Sequence, residues 1–163
     1  SVFEDLTVEQ NLDIAAGARR GPLTLLRRRH GREDKVTEAL EIIGLEHLAG
    51  TKAGVLAHGQ KQWLEIGMLL VQDSDVMLLD EPVAGMGAEE RQATGELLQR
   101  IAADRTVVVV EHDMDFMRAF ATTVTVLAAG KVLAEGTVAE IQADPKVQQV
   151  YLGTAAETEE TPR

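Results

Sequence analysis

Two adjacent acids end an apolar run in the middle of the chain. Residues 76–79 read Val-Met-Leu-Leu, and Asp80 and Glu81 follow them directly. A short continuous apolar run predicts a buried strand of a parallel sheet, and such a sheet presents the carboxyl ends of its strands to the crevice where ligands bind. At that edge Asp80 could hold a metal ion, and Glu81 could take a proton from a water molecule. The pair therefore indicates hydrolytic chemistry, whereas a strand followed by an ordinary polar turn would explain only one acid.

Two other segments carry residue types that such chemistry uses. Residues 56–60 read Leu-Ala-His-Gly-Gln and lead into an amphipathic segment at 61–71, which predicts a helix N-terminus with open backbone N–H groups. Helix N-termini attract anions such as phosphate, although a glycine before a helix is weak evidence by itself. Residues 106–110 read Thr-Val-Val-Val-Val and predict a second buried strand, followed by Glu-His-Asp at 111–113.

The loop that binds phosphate in many nucleotide hydrolases is missing from this sequence. That loop reads Gly-x-x-x-x-Gly-Lys-[Ser/Thr], and its backbone amides surround the phosphates. Lys131 is the only lysine that follows a glycine, and Val132 comes next, where serine or threonine is required. The sequence therefore has the acids of a Walker B motif without a Walker A motif. We expect the chain by itself to bind ATP very weakly and to hydrolyse none.

Composition excludes several classes of function. A net charge of −11 over 163 residues argues against nucleic acid or an anionic membrane as the main partner, and 3% aromatic residues leave little for base stacking. The absence of cysteine excludes disulfides and thiolate metal sites. No apolar run approaches the ~18 residues that a membrane-spanning helix needs.

The remaining pattern predicts a helical first part and a second part that contains the strands. Thr7 and Gln10 form a capping-box pattern at the start of a helix. A basic stretch at 19–32 predicts a loop, and the acidic stretch 154–163 predicts a disordered tail. The predicted elements are helices at 8–18, 34–43, 61–71 and 89–102, strands at 76–80 and 106–110, a hairpin at 123–128 and 132–135, a short helix capped by Thr137, and a last helix that opens at Pro145.

The order of these motifs resembles the ATP-binding subunit of ABC transporters. A Leu-x-x-Gly-Gln segment, an acid pair followed by proline, and a valine strand that leads to a histidine occur in that family in the same order, and the match covers residues 1–153. The resemblance implies an α/β fold with a helical subdomain at 1–72. The C-terminal half of a P-loop NTPase-type core with a mostly parallel sheet would follow at 73–153. Residues 1–8 resemble the stretch just after the family's Q-loop, so the Walker A strand, the adenine-stacking aromatic residue and the Q-loop are expected to be absent from this chain.

Two stretches narrow the resemblance to one branch of the family. Residues 81–86, Glu-Pro-Val-Ala-Gly-Met, are similar to importers of branched-chain amino acids and amides, and residues 58–67 are closer still to the urea importer subunit. Three positions depart from the general family pattern. Ala57 replaces a serine whose hydroxyl meets the γ-phosphate, Gly87 replaces an aspartate as in this branch, and His58 replaces a glycine. His58 would either supply the lost phosphate contact or act as a spacer.

The resemblance implies roles for eight residues. Asp80 would bind Mg²⁺ through a water molecule, Glu81 would be the general base, and His112 would contact the γ-phosphate. Two subunits of this family enclose ATP between them, so the Leu-x-x-Gly-Gln segment would face the nucleotide of the second subunit. His30 and His47 have no such context, and we expect them to be structural. The residues of that segment are Leu56, Ala57, His58, Gly59 and Gln60.

The function that the resemblance implies is that of an ATPase that supplies energy to an importer of urea, short amides or branched-chain amino acids. Its cofactors would be ATP and Mg²⁺. Its partners would be a second ATP-binding subunit, identical or different, and the membrane permease, with the protein held peripherally at the cytoplasmic face of the inner or plasma membrane. Two alternatives share these motifs: a non-catalytic ABC-like interaction module that naturally lacks a P-loop, and a chromosome-maintenance or repair ATPase. Long heptad arms and a basic face would favour the last, and the sequence shows neither.

The missing Walker A strand has a structural consequence. In the family that strand lies in the sheet beside the strand that leads to His112, so the backbone of residues 107–110 would lack a neighbour here. Unpaired apolar strand edges tend to pair with another chain. We therefore expect the chain by itself to rearrange its sheet or to dimerise.

Overall fold

The computed structural model describes residues 1–17 and 30–150. These residues fall into two compact units, which divide between His112 and Asp113. The predicted boundary at residue 72 lies within the first unit and stays a prediction. The predicted acidic tail and most of the predicted basic loop lie outside the described residues.

The first unit begins with three helices and two short 3₁₀ turns. Thr7 and Gln10 form the predicted capping box: Thr7 N donates to Gln10 Oε1 at 2.9 Å, and Gln10 N donates to Thr7 Oγ1 at 3.2 Å. Asn11 is fully buried, and its side chain binds the backbone of Phe3 and Thr7, which fixes the start of the chain to the first helix. The elements are α1 (Val8–Gly17), α2 (His30–Ile43), the turns Glu46–Leu48 and Ala53–Val55, and α3 (His58–Leu70).

Helices α2 and α3 begin earlier than the sequence pattern predicts. The pattern gives starts at 34 and 61, whereas the helices begin at His30 and His58. At α3 the first turn is stabilised because Gln60 Oε1 accepts the N–H of Ala57 at 3.0 Å. At α2 the first turn carries polar residues and glycine, so apolar periodicity could not detect it.

The three helices pack on one another, and Gly67 of α3 lies at a close approach. A Cβ atom at Gly67 would lie 2.7 Å from Ile43 Cδ1 and 3.1 Å from Leu12 Cδ2. Both of those side chains are buried in the core. Only glycine therefore fits at this position without displacing core side chains.

We expect Gly67→Ala to lower the free energy of unfolding by up to ~2 kcal/mol, because overpacking costs ~1–3 kcal/mol and the helix propensity of alanine offsets ~1 kcal/mol. Urea denaturation of the chain measures the difference. Gly50→Ala is the control, since no atom lies within 4 Å of a Cβ built there. A midpoint for Gly67→Ala above that of the unchanged chain would contradict the close packing of the three helices.

A two-stranded parallel sheet completes the first unit. Strands β1 (Val76–Asp80) and β2 (Thr106–Val110) have the predicted bounds, and α4 (Ala88–Ala102) connects them. Leu78 pairs in register with Val108, and Asp80 pairs with Val110. The predicted rearrangement of the sheet does not occur: among the described residues, β1 and β2 pair only with each other.

The prediction that both strands are buried is wrong for one face of this sheet. Met77 and Leu79 are buried on the inner face, but Leu78 is 67% exposed, and Val108 and Val110 are 43% and 53% exposed. The reason is that the described residues cover only one side of the sheet. In the part of the chain that the structure describes, an apolar outer face is therefore open to solvent.

The second unit contains the predicted hairpin between short helices. Thr137 and Glu140 form the predicted capping box, with Thr137 N donating to Glu140 Oε2 at 2.8 Å and Glu140 N donating to Thr137 Oγ1 at 3.3 Å. Sequence reasoning missed α5, although Asp113 is a regular N-cap: its Oδ1 accepts the N–H groups of Asp115 and Phe116. The elements are α5 (Met114–Phe120), β3 (Val124–Ala128), β4 (Lys131–Gly136), α6 (Val138–Ala143) and a helical segment at 145–150.

No helix within residues 1–17 and 30–150 has the length and apolar character needed to cross a membrane.

Candidate functional site

The two acids lie at the carboxyl edge of the parallel sheet. Asp80 is the last residue of β1 and is exposed, and Glu81 follows it with its N–H donating to Val110 O of β2 at 2.9 Å. The φ angle of Glu81 is +46°, a left-handed conformation that non-glycine residues seldom adopt. A turn comes next, in which Ala84 N donates to Glu81 O at 3.1 Å. The side chain of Glu81 remains 54% exposed.

His112 lies beside Glu81. Its Nδ1 atom is 3.5 Å from Glu81 Oε1, and its ring is 78% exposed. The position is a consequence of the parallel register, because β1 and β2 end at the same edge and the residues after them meet there. The structure thus brings together three residues that the sequence predicts for one site: Asp80, Glu81 and His112.

Sequence reasoning assigned no role to Glu111, which the structure places beneath this edge. Its side chain is only 2% exposed. Oε1 accepts the N–H of Val83 at 3.4 Å, and Oε2 accepts the N–H of His112 at 3.1 Å. The sequence does carry a signal for Glu111, which directly follows a run of valines. A charged side chain next to such an apolar run is expected to be buried only if it has hydrogen-bond or ion-pair partners.

The Leu-x-x-Gly-Gln segment forms the N-terminus of α3. Ala57 is the extended N-cap residue, and its methyl group cannot cap the helix. Lys61 N is the first to donate within the helix, to Ala57 O at 3.0 Å. The N–H groups of His58, Gly59 and Gln60 therefore have no carbonyl partner inside the helix. Such an N-terminus suits an anion.

The same segment is connected to the loop after Glu81. His58 Nε2 lies 2.9 Å from Ala84 O. Glu90 Oε2 accepts the N–H of Gly87 at 3.0 Å, and its Oε1 lies 2.6 Å from the place where a Cβ of Gly59 would be. A larger residue at position 59 would displace that carboxylate. One ring nitrogen of His58, Nε2, is thus within hydrogen-bonding distance of a carbonyl oxygen of its own chain.

The carboxylates present suit Mg²⁺ held together with a phosphate. Mg²⁺ is bound through one or two carboxylates while it keeps several waters, and Asp80 offers one exposed carboxylate at the sheet edge. Within residues 1–17 and 30–150, no three His, Cys, Asp or Glu side chains gather as a metal site made of protein alone requires. Asp80 could hold the ion through one of those waters.

Comparison with known families identifies the fold. A family model described as ABC transporter matches residues 1–84, more than half of the 163 residues. The chain belongs to the ABC transporter family. A second model, described as branched-chain amino acid ATP-binding cassette transporter, matches residues 131–157. The family and the P-loop NTPase-type fold predicted from the motifs are confirmed.

Individual relatives indicate the same family and the same branch. LivG of Salmonella typhimurium, named a high-affinity branched-chain amino acid transport ATP-binding protein, is 32% identical over 95% of this chain and 63% of its own length. BraF of Pseudomonas aeruginosa, which carries the same description, is 31% identical over 94% of this chain and 65% of its own length. The chain thus spans less than two thirds of the length of these ABC transporter relatives.

Solved structures agree with this fold. The ADP conformation of MJ1267, an ATP-binding cassette of an ABC transporter, aligns with a TM-score of 0.76 at 29% identity, over 92% of this chain and 64% of that one. CbiO1 from Clostridium perfringens, part of the ABC transporter complex CbiONQ, aligns with a TM-score of 0.76 at 25% identity, over 99% and 63%.

Proposed function

We propose that the protein is the ATP-binding and ATP-hydrolysing subunit that supplies energy to an importer of branched-chain amino acids, short amides or urea. The observation that carries the proposal is the 3.5 Å approach of Glu81 Oε1 and His112 Nδ1 at the sheet edge where Asp80 ends β1. Transfer of a phosphoryl group to water requires a group that orients the water, donors to the phosphate and a metal ligand in one place.

Each residue of the edge has a role in this reaction. Glu81 accepts the proton of the attacking water, and His112 donates a hydrogen bond to the terminal phosphate. Asp80 would hold Mg²⁺ through a water molecule, and the ion would neutralise charge on the phosphates. The exposed side chains of all three residues leave access for a nucleotide from the solvent side.

The N-terminus of α3 serves the nucleotide of a second subunit. The N–H groups of His58, Gly59 and Gln60 and the positive end of the helix dipole would face its terminal phosphate. Ala57 offers no hydroxyl for this purpose. Backbone groups would therefore carry this contact.

The named relatives and the sequence support the proposed assignment to this importer branch. LivG and BraF are named for branched-chain amino acid transport, while residues 58–67 resemble the urea importer subunit. The partners would be a second ATP-binding subunit and membrane subunits, which choose the solute. The protein would be bound peripherally at the cytoplasmic face of the membrane.

ATP turnover tests the proposal against the interaction module. Phosphate release is measured with the gene-encoded protein, which the proposed function requires to contain a Walker A motif. It is measured in parallel with the 163-residue chain. Turnover by the first and none by the second is expected, because this chain lacks the Walker A lysine and its loop. No turnover by either protein would favour a non-catalytic module.

Asp80→Asn is expected to weaken the binding of Mg²⁺-ATP to the gene-encoded protein by ~10–100-fold, the range for loss of an interaction with a charged group. Binding of ATP without Mg²⁺ should not change, because Asp80 acts on the metal. Isothermal titration with and without Mg²⁺ measures both values. Asp75→Asn, an exposed acid just before β1, is the control; equal losses in the two variants would contradict the metal assignment.

A further inference from the structure

Glu111 has a buried carboxylate that the proposed reaction does not use. Its side chain is 2% exposed, although Asp80 and Glu81 at the same edge face the solvent. An ionised carboxylate removed from water destabilises the fold unless hydrogen bonds compensate it. The donors that meet Glu111 therefore indicate the role of this buried carboxylate.

Those donors come from two different strand ends. Val83 N, in the loop after β1, donates to Oε1 at 3.4 Å, and His112 N, just after β2, donates to Oε2 at 3.1 Å. His112 Nδ1 is also 4.0 Å from Oε2. One carboxylate thus bridges the loop that begins at Glu81 and the backbone of His112.

The backbone by itself does not fix the positions of the Glu81 and His112 side chains. Glu81 N donates to Val110 O, which anchors the start of the loop. Two turn bonds, from Ala84 N to Glu81 O and from Met86 N to Val83 O, fold the loop on itself. The hydrogen bond from Val83 N to the Glu111 side chain ties this folded loop to the end of β2.

We propose that Glu111 is a positioning residue: its buried carboxylate holds the Glu81 loop and His112 together, and so sets the distance between the Glu81 carboxylate and the His112 ring. The proposal rests on the hydrolytic function proposed above. Glu111 does not touch the nucleotide. It acts through the two backbone N–H groups whose hydrogen bonds it accepts.

Amide hydrogen exchange of the 163-residue chain tests the bridge without nucleotide. Glutamine has the shape of glutamate but replaces one acceptor oxygen by an NH₂ group, so one backbone N–H loses its partner. Glu111→Gln is expected to speed exchange at Val83 or His112 by ~10–100-fold. Glu41→Gln, an exposed glutamate of α2, is the control and should change neither amide. Unchanged exchange at both positions in Glu111→Gln would overturn the proposal.

A second variant keeps the test decisive if Glu111→Gln does not fold. Glu111→Asp keeps the charge and shortens the side chain by one methylene group, so it cannot reach both N–H groups. Faster exchange at Val83 or His112 supports the bridge. Exchange as slow as in the unchanged chain would show that the reach of Glu111 is irrelevant.

Kinetics of the gene-encoded protein then test the positioning role. Glu111→Gln is expected to lower kcat by ~10–100-fold with unchanged KM and nucleotide affinity, because Glu111 orders the reacting pair and does not bind ATP. An equal loss of affinity and rate would overturn the role. If Glu81→Gln leaves turnover unchanged, the proposed function fails, whereas the exchange result still reports on the bridge itself.

Discussion

Replacing Glu81 by glutamine in the gene-encoded protein is expected to slow ATP hydrolysis by ~10²–10⁴-fold, the usual contribution of a general base. Nucleotide affinity should stay the same, because in nucleotide hydrolases of this type the backbone amides of the phosphate-binding loop, rather than the general base, surround the phosphates. Phosphate release under saturating ATP measures the rate, and equilibrium titration measures the affinity.

Glu89→Gln is the matched control for this change. Glu89 is an exposed glutamate in the first turn of α4, in the same unit of the chain. The Glu89→Gln variant should hydrolyse ATP at the same rate as the unchanged protein. If Glu81→Gln lost affinity and rate in equal measure, Glu81 would be a structural residue and the general base would have to be sought elsewhere.

The backbone of Glu81 is held in an unfavourable conformation at the proposed site. A left-handed conformation of a non-glycine residue costs ~1–2 kcal/mol, and Glu81 adopts φ +46° directly at the strand end. Strain of this kind persists where the surrounding structure fixes it, and it occurs often at active sites. The bonds from Glu81 N to Val110 O and from Ala84 N to Glu81 O hold the residue in this conformation.

The strands and their carboxyl edge could be predicted because their signal is local. Continuous apolar runs mark the bounds of β1 and β2, and the parallel arrangement places the residues after both strands at one edge. That geometry places the backbones of Glu81 and His112 at the same edge of the sheet. Their catalytic roles stay predictions until the variants are measured.

The contacts that organise the edge could not be predicted, because they join residues far apart in sequence. His58 Nε2 lies beside Ala84 O, the Glu90 carboxylate lies against Gly59, and the Glu111 carboxylate accepts the N–H of Val83. No periodicity or motif encodes such pairings, since each depends on how α3, α4 and the strand ends pack. Likewise, the apolar pattern of β1 and β2 predicts two buried faces, and only the structure shows which face this chain leaves open.

That open face leads to the second large expected effect: the 163-residue chain by itself should self-associate. The outer face of the sheet presents Val76, Leu78, Val108 and Val110, which are 57%, 67%, 43% and 53% exposed. Among the described residues, no strand pairs with the outer edge of β2. A second copy offers both an apolar face and a strand edge of the same kind, so it can cover the first.

Leu78→Lys with Val108→Lys is expected to raise the dissociation constant of this self-association by at least ~10²-fold, since each buried aliphatic side chain contributes ~1.5–3 kcal/mol. Lysine reduces the net charge of −11, so weaker association could not be ascribed to greater overall repulsion. Val55→Lys, at a 75% exposed valine outside the sheet, is the control. Sedimentation velocity over a range of concentrations measures all three proteins. An unchanged chain that stays monomeric at every concentration, or a control that dissociates as readily as the double variant, would show that the open sheet face does not drive the association.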